Sequence, residues 1–201
     1  GLIAYTVTRH GLSVLLPLGK LILTAFIATV IFVVVTYLPI IKLIGMKISD
    51  YLKGAFEPWL IAFTTCSSAA ALAVNLEASR KMGASKAIAS FAIPLGNTIN
   101  MNGTSIYMGV TAVFAAEVFG IDLTLTQQFQ IVLMGVLAAV GTAGVPGAGL
   151  IMTTLVFTEV GIPLEAVALI AGIDRILDMI RTSVNVLGDS LTALVVSKSE
   201  G

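Results

Sequence analysis

Five polar side chains in one short stretch carry the chemistry this chain can offer. Gly172–Ser190 reads GIDRILDMIRTSVNVLGDS. Wound as an α-helix of about 3.6 residues per turn, it sets Asp178, Arg181, Thr182, Asn185 and Asp189 on one narrow stripe. Its other faces carry Ile173, Ile176, Leu177, Met179, Ile180, Val184, Val186 and Leu187. In so apolar a setting, carboxylates and a guanidinium are costly unless partners, water or a ligand receive them. The stripe is therefore a candidate binding site. The spacing of Asp178 and Arg181 also suits a plain i,i+3 ion pair holding neighbouring helices.

Three further clusters could supply ligands. Pro58–Leu76, PWLIAFTTCSSAAALAVNL, is uncharged with a small polar centre at Thr64–Ser68. PLGNTINMNGTS crowds Asn97, Thr98, Asn100 and Asn102 between Pro94, Gly96 and Gly103, which are expected to break a helix. Freed carbonyls in an interrupted membrane helix are cation ligands. GTAGVPGAG, Gly141–Gly149, is glycine-rich but lacks the lysine and the strand–helix context of a phosphate loop. It reads instead as a hinge whose backbone N–H groups can approach a substrate.

The composition says what must position these groups. Charged residues make up 11% of the chain, hydrophobic residues 57%, and mean hydropathy is +1.03. A soluble domain carries about a quarter charged residues, so this is an integral membrane chain in contact with the lipid bilayer. Eleven basic residues balance eleven acidic ones, which leaves no electrostatic footprint for nucleic acid. A single cysteine excludes an internal disulfide, and a single histidine leaves no Cys/His zinc set. No ATP-binding loop is present, and no enzyme chemistry is expected.

The run GLIAYTV is too short to span, and residues 1–12 read as the end of a preceding transmembrane helix. A transmembrane helix follows over 13–45. Residues 50–86 have basic clusters on both flanks (Lys42, Lys47 and Lys53; Arg80, Lys81 and Lys86). Since Lys and Arg collect on the cytoplasmic side, this segment reads as a re-entrant hairpin with its tip at Cys66–Ala69. A broken transmembrane helix over 87–120 comes next. Leu123–Thr158 holds no charge, and as one helix it would be about 54 Å long. No Lys or Arg lies between Lys86 and Arg175, so 123–160 is expected to be a second hairpin, entering from outside. A polar-striped transmembrane helix over 163–198 closes the chain. Arg9 and Lys20 fall on the outer side in this topology. The expected fold class is an all-α membrane protein with two re-entrant helical hairpins of opposite orientation, an inverted repeat.

TINMNGTSIY, GTAGVPGAG and DMIRTSVNVLGD closely resemble the signature segments of the dicarboxylate/amino-acid:cation symporter family, which includes the excitatory glutamate transporters. The resemblance covers essentially the whole chain. It implies a glutamate-transporter-like transport domain running from the end of the fifth transmembrane helix through helix 8. Helices 1–4, with most of a homotrimeric scaffold, would be missing, and the full-length protein would be a multi-pass protein of the plasma or inner membrane. Carried over by motif, Arg181 would hold the substrate's side-chain carboxylate and Asp178 its α-ammonium. Thr182 and Asn185 would lie at the α-amino and α-carboxyl end. Cys66 (through its carbonyl) and Ser68 would meet the α-carboxylate, Thr104 the distal carboxylate, and Val145 and Gly149 would add backbone groups. One sodium site would use carbonyls of Gly96, Asn100 and Asn185 with the Asp189 carboxylate. A second would use carbonyls of Thr98, Ala139, Val140 and Thr142. The family's third cation site uses an aspartate where this chain has Asn102, and the usual serine before the second tip is Ala139.

The residues agree with that expectation. Arg181 offers a planar fork to a carboxylate, while Asp178 calls for a cation, so the favoured ligand is an acidic amino acid, aspartate or glutamate. A plain dicarboxylate would leave Asp178 unpaired. Sodium would raise substrate affinity because both close the same hairpin, and transport would follow an elevator mechanism with sodium as coupling ion and no organic cofactor. The alternatives are a C4-dicarboxylate or proton-coupled symporter of the same family, a channel pore segment, or a non-transporting assembly fragment.

Overall fold

A computed structural model describes Thr8 and residues 15–200. Apart from Thr8, the end of a preceding helix expected over 1–12 lies outside the described residues.

The long charge-free run after Lys20 forms one rod in three parts. These are α1 (Leu15–Phe32), a π-helical turn (Val33–Tyr37) and α2 (Leu38–Leu43). The π turn has a local cause. Pro39 has no N–H and its ring crowds the carbonyl four residues back, so the ladder widens ahead of it. The Leu38 N–H accordingly reaches the Val33 carbonyl. Leu16–Leu43 is the one stretch among the described residues long and apolar enough to cross a membrane. Gly45, at φ +76°, ends the rod.

α3 (Ile48–Thr65) and α4 (Ser68–Lys81) pack against each other across a two-residue break. Cys66 takes the left-handed conformation there (φ 56°), and Ser67 caps α4 by accepting from the Ala70 N–H. Then come α5 (Lys86–Ile99) and α6 (Asn102–Val118). The interruption between them falls at Asn100–Met101, not at the proline and glycines that were expected to make it. Pro94 and Gly96 lie inside α5, and Gly103 lies inside α6. Helix breaks settle where other groups can take the freed backbone. Here the Gly103 N–H donates to Asn185 Oδ1 at 2.8 Å.

α7 (Leu125–Val140) starts on a reciprocal capping box of Thr124 and Gln127. The loop 141–147 joins it to α8 (Ala148–Val160), so Gly149 belongs to a helix. At 16 and 13 residues, α7 and α8 are each too short to span a bilayer. The last segment is two helices where one was expected over 163–198. α9 (Glu165–Ala171) and α10 (Asp174–Glu200) meet at Gly172–Ile173. The joint is a tightening of the ladder, for the Ile173 N–H bonds to the Ile170 carbonyl three residues back.

α10 is the axis of the molecule, with α1, α3, α4, α5 and α6 all packed on it. One apolar cluster gathers α1, α6, α7, α8 and α9 around Met108, Phe157, Ile170 and Leu177. Another lies toward the far end of α10 around Tyr37, Ile41, Tyr51, Ile93 and Leu194. The polar stripe of α10 runs between them, and all five of its side chains are buried. The described residues form helices and no strands.

Candidate functional site

The two loop tips and the α5–α6 break converge on the α10 stripe. Ser68, Thr104, Val145, Gly149, Asp178, Arg181, Thr182 and Asn185 line one small cavity, together with Met101, Thr142, Ala143 and Gly144. Its volume is about 10 Å³, room for roughly one water. Eight of the nine residues expected at the substrate site therefore come together. Cys66 does not line the cavity. It is buried, and its Sγ points to the Arg175 carbonyl at 3.7 Å.

Arg181 is held on three sides. Its Nε donates to Asp178 Oδ1 at 3.0 Å, its Nη1 lies 3.9 Å from Asp174 Oδ1, and its guanidinium carbon sits 4.5 Å over the Tyr107 ring. Tyr107 Oη in turn donates to Asp174 Oδ1 at 2.9 Å. Nη1 is nevertheless buried without a hydrogen-bond acceptor among the described residues. An unpaired buried donor of this kind costs free energy that a ligand oxygen would offset. Gly149 is what lets the second loop approach, since a Cβ there would overlap the guanidinium.

Asp178 is hydrogen-bonded at both carboxylate oxygens. Thr182 Oγ1 donates to Oδ1 at 2.8 Å, alongside the Arg181 Nε, and the Gly147 N–H donates to Oδ2 at 2.9 Å. A ligand lacking an amine would thus leave Asp178 paired.

The two tips also meet each other. The Gly144 carbonyl accepts from Ser67 Oγ at 2.9 Å and from the Ala69 N–H at 3.2 Å. A side chain at 144 would overlap Ser68 Oγ, so glycine permits the closure. Arg175 holds the first tip from behind, donating from Nη2 to the Thr64 carbonyl at 2.8 Å. It satisfies carbonyls that the end of α3 leaves unpaired.

Of the residues expected at the first cation site, Gly96, Asn100, Asn185 and Asp189 are brought together. Asn100 Nδ2 donates to Asp189 Oδ1 at 2.8 Å and to the Asn185 carbonyl at 3.3 Å. A Cβ on Gly96 would lie 2.5 Å from Asp189 Oδ1. Asp189 is 2% exposed and has no cationic partner among the described residues. A buried carboxylate near a backbone carbonyl is the kind of ligand a hard cation takes, and here the Asn100 Nδ2 donates to both. The second set is looser. Thr98 Oγ1 donates to the Leu95 carbonyl, and the Ala139 carbonyl accepts from the Thr142 N–H, while Val140 is exposed. α5, which carries Thr98, and α7, which carries Ala139 and Val140, pack together, and Thr142 lies in the loop that follows α7.

Several site residues escaped the sequence reading. Asp174 lies one turn before Asp178 and simply continues the stripe. Tyr107 lies one turn after Thr104, a spacing that could have flagged it. Tyr37 gave no local signal. Its Oη donates to the Val184 carbonyl at 3.2 Å and accepts from Asn102 Nδ2 at 3.0 Å, and Asn102 Nδ2 also donates to Asn100 Oδ1 at 2.7 Å.

Helices broken where buried charges gather, on a chain this apolar, are the design of a membrane transporter. The comparisons are more specific. The family model described as sodium:dicarboxylate symporter family matches residues 1–199, and the chain belongs to that family. It is 40% identical over 200 residues to the proton/sodium-glutamate symport protein of Geobacillus stearothermophilus, covering 100% of this chain and 48% of that protein. It is 38% identical over 202 residues to the C4-dicarboxylate transport protein of Bacillus subtilis, covering 100% of this chain and 48% of the relative. An excitatory amino acid transporter of Caenorhabditis elegans is 40% identical over 162 residues, 79% of this chain and 32% of that one. The chain thus spans about half the length of the bacterial relatives it matches.

Proposed function

We propose that this chain is the substrate- and ion-binding core of a cation-coupled symporter for acidic amino acids. The observation that carries the reading is the Arg181 guanidinium, buried at the meeting point of two loop tips, whose Nη1 lacks a hydrogen-bond acceptor among the described residues. That group recognises a carboxylate. Thr104, Thr182 and Asn185 beside it offer hydroxyl and amide contacts to the rest of a small acid. Asp178 is the acceptor for an α-ammonium, which would take the place of the Gly147 N–H.

Charge supports cation coupling. The buried carboxylates Asp174, Asp178 and Asp189 outnumber the one buried guanidinium, Arg181, among the described residues. An anionic substrate entering such a site adds to the carboxylate excess, and cations must accompany it. Sodium fits the oxygen donors around Asp189, and the second loop is shared between substrate and ion sites, which makes the coupling reciprocal. In the full-length protein we expect the hairpins to be re-entrant and oppositely oriented. We further expect this domain to move against a trimeric scaffold as an elevator in the plasma or inner membrane.

The paired state of Asp178 favours a second reading, a C4-dicarboxylate carrier, in keeping with the name of the Bacillus subtilis relative. Calorimetric titration of the full-length protein decides. Arg181→Cys should weaken aspartate binding by at least about a hundredfold, since two charge-assisted hydrogen bonds are lost, while some serine binding persists through Asp178. Unchanged aspartate affinity would sink the assignment. Tight succinate binding by the wild type, with weak aspartate binding, would select the dicarboxylate reading.

A further inference from the structure

Outside the substrate site, a cleft of about 690 Å³ opens at the end of the membrane-spanning rod. Three separate pieces of chain bring lysines to it: Lys47 from the turn after α2, Lys81 from the end of α4, and Lys198 from the last turns of α10. Asp50 is the one acidic residue in the lining. Lys47 and Lys198 have no acidic partner within 4.0 Å among the described residues, and Lys81 shares Glu77 with Arg80. The floor is apolar, built from side chains such as Met46, Met82 and Leu194.

We propose that this cleft binds the headgroup of an anionic phospholipid of the cytoplasmic leaflet, with the glycerol and upper acyl chain lying on the methionine floor. Depth, charge and lining agree. The cleft begins where the Leu16–Leu43 span stops, which is headgroup level for a helix of this length. Lys42, Lys47, Lys53, Arg80, Lys81 and Lys86 all cluster at this end, the side that faces the anionic leaflet. A soluble phosphate would need the lysines but not the apolar floor. A neutral lipid would need the floor but not the lysines. Leu43, 84% exposed at the edge of the rod, extends the apolar surface toward the bilayer. Because the lining joins the first hairpin to the end of α10, such a lipid would clamp the hairpin arms to the helix that carries the substrate site.

The test uses the full-length protein, delipidated in detergent and titrated with phosphatidylglycerol or phosphatidylcholine under native mass spectrometry. Wild type should retain phosphatidylglycerol preferentially. The triple variant K47Q/K81Q/K198Q should bind it at least about tenfold more weakly, and K47R/K81R/K198R should bind it as wild type does. Lys20→Gln, at the other end of α1, should have no effect. Equal retention of the two lipids by wild type would overturn the proposal even if the triple variant fails to fold. Displacement of the lipid by millimolar inorganic phosphate would also overturn it, assigning the cleft to a soluble anion.

Discussion

At position 102 an amide nitrogen points both its protons at oxygen, one to Asn100 Oδ1 and one to Tyr37 Oη. Asn100 then donates to Asp189, so a single uncharged relay joins the rod to the buried carboxylate. An aspartate at 102 would set acceptor against acceptor at Asn100, which a cation or a proton between them would relieve. Asn102→Asp should therefore create a demand for one more cation. The sodium Hill slope of uptake in proteoliposomes should rise by about one, with a matching shift of reversal potential. If both stay unchanged, position 102 is not an ion ligand in this protein. Two glycines of α6 make a stability comparison of the same kind. A Cβ at Gly103 would overlap the Arg181 backbone, whereas nothing lies within 4 Å of one at Gly109. Gly103→Ala should destabilise by about 1–3 kcal/mol, and Gly109→Ala should stabilise by about 0.5–1 kcal/mol. Thermal unfolding of the full-length protein in detergent would read both. Equal shifts would mean that α6 and α10 do not touch at Gly103.

Among the elements, the loop 141–147 is lightly attached. Its tip is fastened by the bonds from Ser67 and Ala69 to the Gly144 carbonyl and from the Gly147 N–H to Asp178. Each is worth about 1 kcal/mol net. The arms on either side are rooted in a packed core through Ile131, Val156 and Phe157. Opening thus costs a few hydrogen bonds and leaves the arms in place, which suits a gate. Val145 is half-exposed at that tip. A cysteine placed there should react with a membrane-impermeant thiol reagent added outside, and substrate with sodium should slow the reaction about tenfold or more. Gly144→Ala with Pro146→Ala should stiffen or misdirect the tip and slow productive capture of substrate, because the tip could no longer seat against Ser68 to close over the site. Labelling indifferent to both ligands would mean that the loop does not close over the site.

The whole molecule wears its hydrophobicity outside. Leu16, Phe91, Leu125, Phe129 and Ile151 are all largely exposed, while the charged stripe is buried. Lipid covers some of that surface. α7 and α8 are too short to reach across a bilayer unaided. Produced alone in detergent, the chain should elute as a heterogeneous aggregate by size exclusion. The full-length protein should elute as one trimeric species. A monodisperse monomer of the chain alone would show that detergent suffices to cover these faces.

The amino-acid sequence by itself determined that the chain is apolar and helical and carries one polar stripe. Uncharged runs between lysines and a polar residue every turn from Asp178 to Asp189 are local patterns, and local patterns fix helices and their faces but not the place where a helix breaks. Only the tertiary structure decided what those residues touch. Gly96, Gly103 and Gly149 looked like helix breakers in the sequence. In the fold they are the places where α5, α6 and α8 come against Asp189 and Arg181. The pairing of Asp178 with the Gly147 N–H, and of Asn102 with Tyr37, joins residues far apart along the chain. Such contacts follow from how helices dock, and docking leaves no period in the sequence to read.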